Sequence, residues 1–191
     1  MASVLSKPRR RRKLVLGLES NGMRMTPEEF DADHECDENY QYELIHGVLV
    51  VTQVTAAEER GPNDLLAHYL LNHQETHPQG SAMKLTLPQD YVRVTDGRRI
   101  ADRLIWTGAE RADVNPRRDT PNVAVEFVSA GRRNRQRDYE EKRVKYGDAG
   151  LGEYWIIDRF ERTLTVVQYR GKKPVVRTYK EHENYESPLL P

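Results

Sequence analysis

Two carboxylates and one lysine stand where apolar side chains are expected. In Arg99-Ile-Ala-Asp-Arg-Leu-Ile-Trp106, the two-residue period of a strand puts Ile100, Asp102, Leu104 and Trp106 on one face. Asp102 therefore shares its face with three large apolar residues. Glu126 lies inside Asn122-Val-Ala-Val-Glu-Phe-Val128, a continuous apolar run of the kind found in strands covered on both faces. A carboxylate buried there must be protonated, paired or bound to a cation, because an unpaired charge away from water is strongly unfavourable. Lys142 interrupts a helical stripe made by Tyr139, Tyr146 and Ala149. Three roles are open to it: snorkelling to water, pairing with Asp138 four residues earlier, or serving the two carboxylates.

Two carboxylates and a lysine suffice for metal-assisted phosphodiester hydrolysis. Asp102 and Glu126 supply the hard oxygen ligands that Mg²⁺ or Mn²⁺ takes, with water and phosphate oxygens completing the shell. A bound cation lowers the pKa of water and neutralises charge developing at phosphorus. Lys142 then orients the attacking water or stabilises the transition state as a point charge. Directly after the Glu126 strand, Gly131-Arg-Arg-Asn-Arg-Gln-Arg137 reads as a basic loop. Its Arg132, Arg133, Arg135 and Arg137 are placed to hold a phosphate backbone, unless the loop is an ordinary solvated one.

The elements that must position these residues are visible as local patterns. Thr26-Pro-Glu-Glu29 is a helix start with a capping box. The acid-rich stretch 28–43 after it reads as a solvated acidic loop in preference to a metal site. Tyr42 to Val51 reads as a β-hairpin turning at His46-Gly47. Residues 56–77 are helical and end before Pro78. Met83 to Val94 is a strand interrupted at Pro88-Gln-Asp90, and Arg99 to Trp106 returns after the turn Thr95-Asp-Gly-Arg98. A helix over 138–149, a strand over 153–158 and a hairpin of 163–169 with 175–179 follow. The expectation is an α/β or α+β chain: a mixed sheet with helices on its faces and no internal repeat.

The chain's 191 residues carry 30 basic and 30 acidic side chains, and 37% of its residues are hydrophobic. That fits one globular domain with its own core. The balance of charge hides an asymmetry. Six of the basic side chains, and no acid, lie in residues 1–13, so the rest of the chain is net −6. Residues 1–24 therefore read as a basic, flexible N-terminal arm that can attract phosphate, and residues 25–191 as a single domain. No apolar run approaches the roughly 20 residues that span a bilayer, and only a short apolar stretch follows the basic start. A membrane span and a secretory leader are thus not expected. The single cysteine, Cys36, excludes an internal disulfide and a Cys-based zinc cluster, and a reducing cytoplasmic setting is expected.

Five segments together resemble one known family. They are Tyr42-Glu-Leu-Ile-His-Gly-Val-Leu-Val50, Ala101-Asp102, Val125-Glu-Phe-Val-Ser129, Tyr139-Glu-Glu-Lys-Arg-Val-Lys-Tyr146 and Glu153-Tyr-Trp-Ile-Ile-Asp158. They are similar to the Uma-two family of bacterial restriction-endonuclease-like proteins, within the PD-(D/E)XK nuclease superfamily, over about residues 25–170. The resemblance implies a restriction-endonuclease-like mixed β-sheet core flanked by helices, with an added N-terminal β-hairpin. It also implies divalent-metal-dependent cleavage of DNA. Asp102 matches the motif aspartate, Glu126 the second carboxylate, and Lys142 a lysine supplied from the helix. Glu43 matches the acidic residue of the hairpin motif, joining the metal shell or orienting a partner. Ala101 stands at the motif's usual proline, and Val128 at the position of the superfamily lysine. A two-fold homodimer is the expectation for the class, because many nucleases pair to cut both strands.

Other readings are weaker. His73-Gln-Glu-Thr-His77 lacks the glutamate directly after the first histidine that a zinc-protease helix needs. Ser129 has no Gly-x-Ser-x-Gly elbow, and no phosphate-loop or dinucleotide motif occurs. The rival from another class is a catalytically silent nucleic-acid-binding module, with the arginines and the arm binding and Glu126 simply paired with Lys142. A nuclease fold reused as an assembly or toxin-associated scaffold ranks last.

Overall fold

The computed structural model describes residues 13–54, 57–108, 113–171 and 173–191. In chain order the elements are β1 (Val15–Leu16), a 3-10 turn (Leu18–Ser20), α1 (Pro27–Phe30), β2 (Glu35–Cys36), β3 (Tyr40–Ile45) and β4 (Val48–Gln53). Then come α2 (Ala57–Thr76), a second 3-10 turn (Gly80–Ala82), β5 (Met83–Val94), β6 (Gly97–Thr107) and β7 (Val123–Phe127). The chain finishes with α3 (Arg132–Gln136), a π-helical turn (Arg137–Glu141), α4 (Lys142–Asp148), β8 (Glu153–Asp158), β9 (Thr163–Gln168) and β10 (Val175–Lys180).

Strands β3 to β10 form one mixed sheet in the order β10-β9-β8-β7-β6-β3-β4, with β5 also on β6. All of its pairs are antiparallel except β7 with β8, which need a crossover because parallel strands cannot be joined by a tight turn. The helices α3 and α4 with the π turn between them make that crossover. Helices on its faces bury the sheet twice. Ala124 joins Leu104, Trp106, Tyr146 and Tyr154 in the core on the α4 side. Val123 and Val125 join Leu70, Ile105, Trp155 and Val166 on the α2 side. This is the continuous burial expected of the 122–128 run, and the expected mixed α/β architecture. No described helix is long and apolar enough to cross a membrane.

Local chemistry explains the elements nearest the site. Thr26 Oγ1 accepts from Glu29 N at 3.1 Å, and Glu29 Oε2 accepts from Thr26 N at 2.8 Å, closing the capping box on α1. His46 and Gly47 have φ of 52° and 73°, as a two-residue hairpin turn requires. At Gly97 a Cβ would lie 1.9 Å from Leu44 O, so only glycine lets β6 cross β3 there.

Four expectations are corrected. The strand over 83–94 is not broken at Pro88-Gln-Asp90: Pro88 pairs with Arg103 and Asp90 with Ala101. Gln89 absorbs the irregularity with φ 48°. Strict alternation along β6 also fails beside Gln89, since Ala101, not Ile100, joins Leu104 and Trp106 in one core. The basic segment 131–137 is helical, not a loop; arginine and glutamine are good helix formers, and Asn134 Nδ2 bonds Ala130 O at 2.9 Å. The acidic stretch is partly engaged: Asp31 Oδ2 accepts from Arg98 Nη2 at 2.6 Å, and Asp33 pairs with Lys13 at 2.6 Å.

Residues 1–12 of the basic arm lie outside the described residues. From Lys13 the chain lies along the fold with Leu16 buried and Leu14, Val15 and Leu18 exposed. Strand β1 pairs with β2, and Leu16 is buried with Met25, Tyr42, Leu44, Leu49 and Val51 in a third core. At the other end, Glu153 ties down the C-terminal segment. Its Oε1 accepts from Tyr185 at 2.6 Å and its Oε2 from Ser187 at 2.9 Å.

Candidate active site

The β6–β7 register pairs Arg103 with Val125, which brings Asp102 beside the next residue, Glu126. Phe127 N donates to Asp102 Oδ2 at 2.7 Å, locking the aspartate to β7. Lys142, the first residue of α4, reaches back to the sheet. Its Nζ donates to Glu126 Oε1 at 2.6 Å and to Ile100 O at 2.8 Å. Tyr146, one turn further on, donates to the same Oε1 at 3.0 Å. Glu126 and Lys142 are each only 3% exposed. The structure thus brings Asp102, Glu126 and Lys142 together from three elements. Of the roles open to Lys142, it takes the one facing the carboxylates; Asp138 bonds Arg137 instead.

Glu43 reaches the edge of this cluster. Its Oε1 accepts from Ile100 N at 2.9 Å, so Ile100 is held through its N–H by Glu43 and through its carbonyl by Lys142. Glu43 thereby fixes the strand segment that leads into Asp102.

The electrostatics follow from burial. Asp102 is raised from its ordinary value of 3.8 by burial, opposed by Lys142 and the Phe127 N–H. Burial pushes the Glu126 carboxyl up to about 8, with Lys142 pulling the other way. For Lys142, burial works against the charge, but Glu126, Glu43 and Asp138 outweigh it and hold the ammonium above 10.5. The centre is therefore rich in negative charge that the protein alone incompletely compensates.

That imbalance and the donor set fit a hard cation. Asp102 Oδ1 and Glu126 Oε2 receive no hydrogen bond from a described residue, while the other oxygen of each is held. Two carboxylate oxygens are what Mg²⁺ or Mn²⁺ accepts alongside water and phosphate. Among the described residues no group of three or more His, Cys, Asp or Glu is gathered as a closed metal cage, the acidic stretch 28–43 included. His73 and His77 stack on each other with ring centroids 4.5 Å apart.

The four arginines expected to face phosphate are divided. Arg135 Nη1 pairs with Asp158 Oδ2 at 2.5 Å, and its guanidinium lies 5.5 Å from the Tyr139 ring centroid. Arg137 Nε bonds Asp138 Oδ1 at 3.1 Å. Arg132 and Arg133 are exposed on α3.

Asp158, at the end of β8, also accepts from the backbone of Phe160 and Glu161 at 3.0 and 3.1 Å. Burial alone would raise its carboxyl, but the Glu161 and Phe160 N–H groups, Arg135 and Tyr139 hold it below 3.8. Its stabilisation is thus present above the unfolded value, near 3.8, and is lost as pH falls through the lower folded value. Asp158→Asn is expected to lose roughly 1.5–3 kcal/mol at pH 7, the worth of a hydrogen bond to a charged group. In urea melts the gap from wild type should close below about pH 3.8. A gap that does not change with pH would contradict this role.

Four contributors escape sequence reading. Asp138, 1% exposed, sits in the π turn with its own charge directed at the cluster. Tyr146 was legible as a core residue of the helical stripe, but not as a donor to Glu126. Gln89 and Asn63 line the cleft at Asp102, and Asn63 Nδ2 donates to Asp102 O at 2.7 Å. Asn63 Oδ1 in turn accepts from the buried Arg103 at 2.7 Å, which fastens α2 under the site. A buried arginine adjacent to Asp102 was the one available signal.

Comparison with known proteins shows the fold and the family. A solved structure described as a "putative nuclease belonging to DUF820", from Anabaena variabilis, superposes with a TM-score of 0.62 at 14% identity. The match covers 87% of this chain and 90% of that one, which shows a shared fold. No curated protein matches. The Uma2 family model, described as "Putative restriction endonuclease", matches residues 27–191, beyond the expected end of the resemblance near residue 170. The chain therefore belongs to the Uma2 family, the family that its hairpin and strand motifs resemble.

Proposed function

We propose that this protein is a divalent-metal-dependent endonuclease that hydrolyses DNA phosphodiester bonds. The observation that carries the reading is the convergence of Asp102, Glu126 and Lys142 from β6, β7 and α4, with one oxygen of each carboxylate left for a cation. Asp102 and Glu126 would hold Mg²⁺ or Mn²⁺. The cation supplies a water of lowered pKa and neutralises charge at phosphorus.

The chain's own residues do the rest. Lys142 and Tyr146 both take Oε1 of Glu126, which fixes the carboxylate's orientation. The Phe127 N–H does the same for Asp102. An ammonium has three donors, and Lys142 spends two on Glu126 and Ile100. The third orients the attacking water or meets charge on the phosphate oxygens. Tyr146 and the apolar α4-side core close the back of the site against bulk water, which strengthens each of these interactions.

Incubation with supercoiled plasmid, linear duplex and single-stranded DNA tests the reading. Cutting with Mg²⁺ or Mn²⁺, abolished by EDTA, is the expected result; a folded protein that cuts none of them with either cation would contradict it. The buried Glu126–Lys142 pair also suits the second reading, a silent nucleic-acid-binding module. That reading predicts salt-dependent retention of DNA without cutting.

A further inference from the structure

The cleft that opens on Asp102 is narrow, about 70 Å³, with room for a compact group and a few waters but not for a base. A much larger hollow, about 590 Å³, lies between α1, β3, β5 and the turn at Pro116-Arg117. That is the size of a small-molecule pocket. Its apolar surface is largely aromatic. Phe30 and Tyr91 meet edge to face with ring centroids 5.6 Å apart, and both are only half-buried, so ring surface stays open to a ligand. Tyr91 Oη donates to Tyr42 O at 2.9 Å, which fixes its ring. Open aromatic faces of this kind are platforms for a stacked base.

The charges of the hollow favour an anion. Of its three aspartates, Asp31 is paired with Arg98 and Asp33 with Lys13, each at 2.6 Å. That leaves Asp90 against two arginines. Arg93 donates from Nη1 to Pro116 O at 3.1 Å and makes no other hydrogen bond or ion pair with a described residue. Arg117 is exposed, and its guanidinium has no partner among the described residues. One positive charge is therefore in excess, and each nucleotide of a DNA strand carries one negative charge. The planar donors of a guanidinium can meet two phosphate oxygens at once.

The hollow also lies close to the candidate chemistry. Asp90 pairs with Ala101, the residue before Asp102, and Tyr91 pairs with Ile100. At a strand's rise per residue, Tyr91 and Asp102 differ in position along the sheet by roughly 7 Å. We propose that this hollow takes an unpaired nucleotide of the substrate strand, its base against Phe30 and Tyr91 and its phosphate on Arg93 and Arg117. This rests on the nuclease reading above. A base stacked within a duplex cannot enter such a hollow, so the preferred DNA carries an unpaired nucleotide near the cut.

The test is binding in EDTA, over a salt series, of a fully paired DNA duplex and of the same duplex with one unpaired nucleotide. The proteins are wild type, Phe30→Leu, Arg117→Gln and, as a control, Arg177→Gln on the exposed face of β10. Phe30→Leu keeps apolar volume in the wall and removes the ring. Circular dichroism checks that each is folded. Wild type should prefer the duplex with the unpaired nucleotide by about tenfold, and Phe30→Leu should lose about fivefold or more in affinity for it. Arg117→Gln should lower the slope of log affinity against log salt on that duplex by about 0.7–0.9, the value of one phosphate contact. Both should match wild type on the fully paired duplex, and Arg177→Gln should match it on both. Equal binding of the two duplexes by wild type would overturn the assignment, as would unchanged binding of the unpaired form by Phe30→Leu and Arg117→Gln. Calorimetry with free 5′-mononucleotides separates the two sources of a nucleotide. Saturable binding of these without a preference for the unpaired duplex would give the hollow to a free nucleotide and overturn its assignment to the substrate strand. If wild type cuts DNA and shows no such preference, this assignment alone falls. If wild type neither binds nor cuts DNA, the nuclease reading falls and takes the assignment with it.

Discussion

Lys142→Met should cost about 3–5 kcal/mol of stability at alkaline pH, where it strands the ionised Glu126 carboxylate in the core. The two side chains are each 3% exposed and meet at 2.6 Å, so water cannot replace the missing partner. The pH dependence carries the sign. Burial already raises Glu126 to about 8, and removing the ammonium raises it further. A carboxyl raised in the folded state contributes stability that is complete below its unfolded value and lost as pH rises through the folded one. Below about pH 8 Glu126 is protonated in both proteins, so the deficit of Lys142→Met should be smallest there and grow as pH rises above about 8. Glu126→Gln should also be destabilising, since it leaves the buried ammonium with neutral acceptors only, the amide oxygen and the Ile100 carbonyl. The double variant Glu126→Gln/Lys142→Met removes both charges and should recover most of the loss. Urea melts of the four proteins at several pH values measure this. Single-variant losses below about 1 kcal/mol at alkaline pH, the range of exposed pairs, would show that the pair is not buried in solution.

Asp102→Asn should have the opposite profile: a stable protein that does not cut. Asparagine keeps the shape and can still accept from Phe127 N, while the Glu126–Lys142 pair is untouched. Burial raises Asp102 above 3.8, so at neutral pH its ionised form works against folding. The variant should therefore be at least as stable as wild type at pH 7. A bound cation contributes several kcal/mol of charge stabilisation, and each 1.4 kcal/mol is about tenfold in rate, so cleavage should fall by roughly 10³-fold or more. Cutting within about tenfold of wild type would remove Asp102 from the chemistry. Loss of stability would instead make it structural. Stability gained by disarming a site is the usual sign of a strained functional group.

These residues were legible because their chemistry conflicts with their surroundings. Glu126 inside an unbroken apolar run signals a buried charge without any tertiary information. The hairpin at His46-Gly47 and the stripe Tyr139, Lys142, Tyr146 were legible because turn conformation and helical period are local properties. What escaped depends on long-range register. That Ala101 and not Ile100 shares the core of Leu104 follows from the irregular backbone at Gln89 on the neighbouring strand. The packing of Leu16 under the β3–β4 hairpin needs a strand of two residues, too short to leave a periodic signature. The helical form of 131–137 was masked by its charge. Four arginines suggest a solvated loop, yet Asp158 at the end of β8 and the adjacent Asp138 pair with two of them.

The central claim is that Asp102 and Glu126 together hold a divalent cation. Calorimetric titration of Mn²⁺ into wild type and into Asp102→Asn tests it most directly, with no DNA present and with circular dichroism on both proteins. The account predicts saturable binding by wild type and its loss in an equally well-folded Asp102→Asn. Equal binding by both proteins, or none by a well-folded wild type, would contradict it.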